Sequence, residues 1–90
     1  MDEKEIIRLT NSIFVESFEI EPDRLKPEAK IFEDLGLDSL DIVELVVGLQ
    51  KKFGVKLRDS EKLREIRTLA DVYKFMLEEK ARLEKGDAPA

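Results

Sequence analysis

The sequence predicts an all-α fold: a small four-helix bundle with a long loop between the first two major helices. Three observations carry this. Apolar residues recur with a helical period in three separate stretches, each stretch has its own start or stop signal, and no run alternates in the two-residue rhythm of a strand. Ninety residues make one domain with a thin core, since a chain this short buries only about 60–65% of the surface it exposes when unfolded.

The first helix is expected over Asp2–Phe18. At 100° per residue, Ile6, Ile7, Leu9, Ile13, Phe14 and Phe18 share one half of the cylinder, and Lys4, Glu5, Arg8, Glu16 and Glu19 share the other. Pro22 and Pro27 bracket a loop that runs on to Asp38, long for so small a domain. Its apolar residues Leu25, Ile31, Phe32, Leu35 and Leu37 are expected to plug into the core.

The second helix is expected to start at Asp38 or Ser39 and to end near Phe53, with Gly54 as its stop. Ile42, Val43, Val46, Leu49 and Phe53 form its inward side, with Leu45 at the edge. A short helical turn follows over Asp59–Arg64. The last helix opens on Thr68 and Asp71, a T-x-x-D variant of the capping box, and Leu69, Val72, Tyr73 and Met76 give it a core stripe. The folded domain is expected over residues 1–83, with 84–90 as a frayed tail.

Composition narrows the function. Without cysteine there is no disulfide, no thiolate ligand and no thiol nucleophile; without histidine, the commonest general base and metal ligand are gone. Any thioester or redox chemistry on this chain therefore needs a sulfur from outside, which argues for a carrier or binder over an enzyme. The net charge of −5 disfavours nucleic acid and anionic membranes as partners. The charge is unevenly placed: residues 1–47 hold 13 acidic and 5 basic side chains, residues 48–90 hold 8 acidic and 11 basic. An acidic start without an apolar segment gives no secretory signal, and no stretch is long enough to insert stably in a membrane, so a cytoplasmic monomer is expected.

The most informative stretch is Phe32-Glu33-Asp34-Leu35-Gly36-Leu37-Asp38-Ser39-Leu40-Asp41. Gly36 permits a sharp turn, and Asp38 or Ser39 can cap the helix that follows. A serine at a helix start presents its hydroxyl beside the positive end of the dipole, where a phosphodiester would meet a favourable field and unpaired N–H groups. Local chemistry alone favours an ordinary helix cap.

Taken with the Val43-Glu44-Leu45-Val46 that follows, the proline-flanked loop and the T-x-x-D start of the last helix, the stretch closely resembles the acyl carrier protein family over about residues 5–77. That resemblance implies that Ser39 receives phosphopantetheine from coenzyme A through a phosphopantetheinyl transferase. The thiol of the arm would then hold acyl groups as thioesters, which accounts for a carrier without cysteine. It also implies that loading, elongating and acyl-transfer enzymes dock on the second helix, a role that maps onto Asp38, Leu40, Asp41, Glu44 and Val47. Exposed aliphatics flanked by carboxylates suit a basic, partly apolar partner surface. A loaded chain could slip between helices beside Val43, Val46, Ile66 and Tyr73.

The sequence departs from the family at the end of the second helix. Gln50, Lys51 and Lys52 stand where acidic residues usually continue, and Lys56, Arg58, Lys62, Arg64 and Arg67 prolong the basic run. Lys51 and Lys52 are thus expected to form a specificity rim on a specialised carrier for a fatty acid, polyketide or lipid pathway. An aminoacyl or peptidyl carrier would share the fold and the modified serine. In a different class, Glu33, Asp34, Asp38 and Asp41 supply hard oxygens for a divalent ion, giving a metal-binding interaction module, but they lack the spacing of a calcium loop, and no metal site is expected.

Overall fold

The computed structural model describes residues 2–57 and 60–84. Within them lie three α-helices, α1 (Glu3–Phe18), α2 (Ser39–Phe53) and α3 (Leu69–Glu84), with 3₁₀ turns at Pro22–Arg24 and Ser60–Arg64. The fold is all-helical, and the expected third helix of the four is the single 3₁₀ turn at Ser60–Arg64. Asp59, where that helix was expected to begin, lies outside the described residues together with Arg58, as do positions 85–90 of the expected tail. α3 itself runs through Glu84, one residue into that tail.

Each helix begins where its side chains can satisfy the free amides of the first turn. Asp2 accepts from the Glu5 N–H at 2.9 Å at the head of α1. At the other end, Glu19 adopts the left-handed conformation with φ 55°, and the buried Ile20 donates its N–H to the Phe14 carbonyl at 3.1 Å. The Glu19 N–H closes on the same carbonyl, and the paired bonds turn the chain sharply before Pro22 and seat Ile20 in the core. α2 ends on Gly54 in the same left-handed conformation.

α1 packs against both α2 and α3, and the Ser60–Arg64 turn packs against α2. Ile6, Ile13 and Phe14 of α1 meet Leu45 and Leu49 of α2 and Leu69, Val72 and Met76 of α3 in one core cluster. Phe75, Leu57 and Leu63 belong to it as well, as do Leu35 and Leu37 from the long loop. Gly48 lies at the α1–α2 seam, and a Cβ there would stand 2.9 Å from Cγ2 of the buried Ile13. Its missing side chain is what lets the two helices approach.

The long loop is fixed by backbone hydrogen bonds. Ile31 N–H donates to the Arg67 carbonyl at 2.8 Å, Leu69 N–H to Ala29 at 2.9 Å, and Ala70 N–H to Pro27 at 2.8 Å. Lys30 and Thr68 form an isolated antiparallel bridge between them. The loop then coils on itself, with Leu35 N–H bonded to the Lys30 carbonyl at 3.0 Å, Leu37 N–H to Ile31 at 3.2 Å, and Lys30 N–H to the Asp34 carboxylate at 2.8 Å.

Three expectations about orientation are corrected. Val43 was placed on the inward side of α2 and is 54% exposed, whereas Leu45, placed at the edge, is fully buried. α2 carries aliphatics around most of its circumference, so hydropathy alone could not fix which arc faces α1. Phe32 was expected in the core and is 37% exposed, because its neighbour Ile31 fills the inward position at the clip to Arg67.

At the head of α3, Asp71 accepts from the Arg67 and Thr68 N–H groups at 2.9 and 3.0 Å, and Thr68 Oγ1 accepts from Asp71 N–H at 3.4 Å. The T-x-x-D box expected from the sequence is therefore formed. Chiefly the Arg67 N–H, and then that of Thr68, hold the Asp71 carboxyl below the usual carboxylate range. A depressed folded pKa stabilises the native state above the unfolded value of about 3.9, and the contribution is lost as pH falls through the lower folded value. Asp71→Ala is expected to cost about 1 kcal/mol near neutral pH. In denaturant titrations the gap to the parent protein should close as pH drops below about 4.

Candidate functional site

Gly36 makes the turn that leads into α2, with φ 74°, a backbone conformation that residues with a Cβ adopt at a cost. Leu35 and Leu37 on either side are buried, so the turn is anchored by its neighbours and delivers Asp38 to the helix start. Asp38 is in the extended conformation of an N-cap, and its Oδ1 accepts from the N–H groups of Leu40 and Asp41, both at 3.0 Å. Asp41 returns the bond, its Oδ2 accepting from Asp38 N–H at 3.0 Å. Both halves of a capping box are present.

The box separates two roles that the sequence left joined. Asp38 does the capping, and Ser39 occupies the first helical position, exposed, with no hydrogen bond to its hydroxyl among the described residues. The expectation of unpaired amides for a phosphodiester is corrected in part, because those of Leu40 and Asp41 are already taken by Asp38. What Ser39 offers is an open, uncommitted hydroxyl beside the helix head and its dipole.

Beyond Ser39, the outer face of α2 shows Leu40 at 79%, Val43 at 54% and Val47 at 43% exposure. Leu40 and Val47 stand where they were expected. Val43 is the residue missed, and its spacing from Leu40 and Val47 was the available signal, since i, i+3 and i+7 share one helix face. Glu44 is exposed beside this stripe, while Asp41 is half-buried and engaged in the cap. Val43 therefore does not line the interior. Val46 is half-buried, and Ile66 and Tyr73 are in the core, where the Tyr73 hydroxyl donates to the Asn11 side chain.

Lys51 and Lys52 part company. Lys52 bridges to Glu16 of α1 at 3.2 Å, whereas Lys51 is exposed and forms no ion pair among the described residues. The acidic residues considered for a divalent ion are also separated: Asp38 and Asp41 close the α2 box, Asp34 holds the Lys30 N–H, and Glu33 pairs with Lys30 at 3.4 Å. Among the described residues, no group of three or more acidic side chains is placed to hold a metal ion.

A helical domain that presents a free serine hydroxyl at the head of a capped helix, with an aliphatic stripe running away from it, has the form of a phosphopantetheine-bearing carrier. The family model described as the phosphopantetheine attachment site matches residues 11–76. Acyl carrier protein 2 of Ralstonia nicotianae is 44% identical over 72 residues, covering 80% of this chain and 88% of its own length. The acyl carrier protein of Thermosynechococcus vestitus is 37% identical over 76 residues, covering 84% and 93%. That of Campylobacter fetus is 47% identical over 64 residues, covering 71% and 82%. The chain belongs to the acyl carrier protein family, with the covalent phosphopantetheine group and the thioester acyl-carrier role that membership brings. The exposed Ser39 hydroxyl, without a hydrogen bond among the described residues, fits the attachment of such a group.

The division of labour at the helix head has a direct test. Ser39→Ala should melt within about 0.5 kcal/mol of the parent, as surface changes away from structural features do. Asp38→Ala should cost about 1 kcal/mol through loss of the cap. Chemical denaturation of the two variants beside the parent checks both.

Proposed function

We propose that Ser39 is the point of phosphopantetheine attachment, and that the head and outer face of α2 are where enzymes engage the loaded carrier. The observation that carries this is the free Ser39 hydroxyl at a helix start already capped by Asp38. The arm supplies the thiol that the sequence lacks, and acyl groups ride on it as thioesters. The protein itself holds no catalytic role: it contributes a rigid seat for the arm and a surface that enzymes read. Asp38, Leu40, Asp41, Glu44 and Val47 make up that surface, with Val43 added from the structure. Carboxylates around exposed aliphatics favour partners whose contact surface is basic and partly apolar, which steers encounter as well as fixing register.

On this reading the partners are a phosphopantetheinyl transferase, then enzymes that load, extend and unload acyl chains in fatty acid, lipid or polyketide assembly. No described helix is long and apolar enough to cross a membrane, in keeping with a carrier that moves between enzymes in solution. Among the serines, Ser12 bonds the Leu9 carbonyl at 2.6 Å on α1, and Ser17 lies in the last turn of that helix, far from any such entry turn.

Incubation with coenzyme A, magnesium and a broad-specificity phosphopantetheinyl transferase should add one arm to the parent protein by intact mass. Ser39→Ala should gain none. A parent that stays unmodified, or a Ser39→Ala protein that takes the arm, overturns the assignment.

A further inference from the structure

We infer that the partner for which this carrier is specialised has a contact surface that reverses sign along α2: cationic opposite Glu44, carboxylate-bearing opposite Lys51, and apolar between. The inference rests on the proposed docking role of α2 and adds the chemistry of the far end. Glu44, Val47 and Lys51 are spaced i, i+3 and i+7, so they follow one another along a single face, and all three are exposed. At 1.5 Å per residue, Glu44 and Lys51 are about 10 Å apart along the axis. One partner surface thus spans both, with Leu40, Val43 and Val47 as the shared apolar strip.

The two lysines at this end are not equivalent. Lys52 lies on the α1 flank, its charge answered by Glu16, and α1 can come that close because Gly48 carries no side chain. Lys51 shares the face of Glu44 and Val47 by its spacing, borders the α1–α2 groove beside Gly48 and Lys52, and has no acidic partner among the described residues. A uniformly cationic partner would set a like charge against Lys51, whereas a carboxylate there completes a second complementary contact. Lys51 also sits in the last turn of α2, where any cation favours the helix dipole. That local role would affect stability and leave partner preference unmoved, so preference is the quantity to measure.

The test uses one acyl-handling enzyme in two forms, differing at the rim position that faces the last turn of α2: a lysine in one, a glutamate in the other. The substrate is the loaded full-length carrier, and the two enzyme forms are first normalised on the Lys51→Gln carrier, which presents no charge there. The parent carrier should favour the glutamate form by about fivefold in kcat/KM, the size expected of one exposed charge pair. Lys51→Glu should invert the preference, Lys52→Gln should leave it in place, and high salt should bring all ratios toward one. Glu44→Lys serves as the separate control, and should slow both enzyme forms. If it slows neither, docking on α2 is itself wrong. If it slows both while Lys51→Glu leaves the ratio unchanged, docking stands and the sign reversal falls.

Discussion

The placement of the site depends on a clip between two stretches of backbone. Three hydrogen bonds tie Pro27, Ala29 and Ile31 to Arg67, Leu69 and Ala70, joining the long loop to the entrance of α3. Without that clip the loop would be a tether, free to sample many paths between α1 and α2. With it, Ile31 is fixed, Leu37 bonds back to Ile31, and α2 begins two residues later at a defined place. Closing a loop of this length carries an entropic cost that grows only slowly with length, so a few well-made bonds and buried leucines can hold it. The apparent excess of loop in a small domain is therefore structure of another kind, in which Leu35 and Leu37 do for the core what a helix face does elsewhere.

At the helix head, Ser39, the residue we propose as the attachment point, has no structural duty among the described contacts. A helix start needs its amides satisfied, and a serine is a common means of doing so. Here the adjacent aspartate takes the task, with Asp41 closing the reciprocal bond. A hydroxyl that also capped the helix would lose that contact whenever it was esterified, and the carrier would cycle between a tighter and a looser form as its arm came and went. With the cap assigned to Asp38, an arm on Ser39 would leave the helix-head bonds untouched. The acidic character of the helix head holds the first turn together and, in the docking role we propose, also gives partners a field to follow.

Much of this could be read from the residues. Helix boundaries followed from local signals, and they fell within a residue of expectation at Phe18, Ser39 and Phe53 because caps and stops are short-range chemistry. The serine motif stood out for the same reason. Orientation was less legible. α2 carries Leu40, Val43, Val46 and Val47 in addition to its buried residues, so several arcs of the wheel looked alike, and only packing against α1 and the Ser60–Arg64 turn decided between Val43 and Leu45. Gly48 gave no hydropathy signal at all, since its part is to be absent from a contact. The Lys51–Lys52 pair read as one basic feature, although Glu16 lies 36 positions away from Lys52 and no local rule connects them.

The clip has a consequence for how this protein can change over generations. Its bonds run between main-chain atoms, which are the same whatever side chain is attached, proline as a donor excepted. Lys30, Phe32, Arg67 and Ala70 can thus be exchanged while the three main-chain bonds remain available, the ion pair of Lys30 being an exposed one with Glu33 inside the loop. The exposed Phe32 ring and the Lys30 and Arg67 side chains border a cleft of about 260 Å³ on this clip. That neighbourhood is open to drift and to selection alike: on the proposed attachment at Ser39, a carrier lineage can redraw the ground around its arm and acquire new clients while inheriting the same placement of the serine.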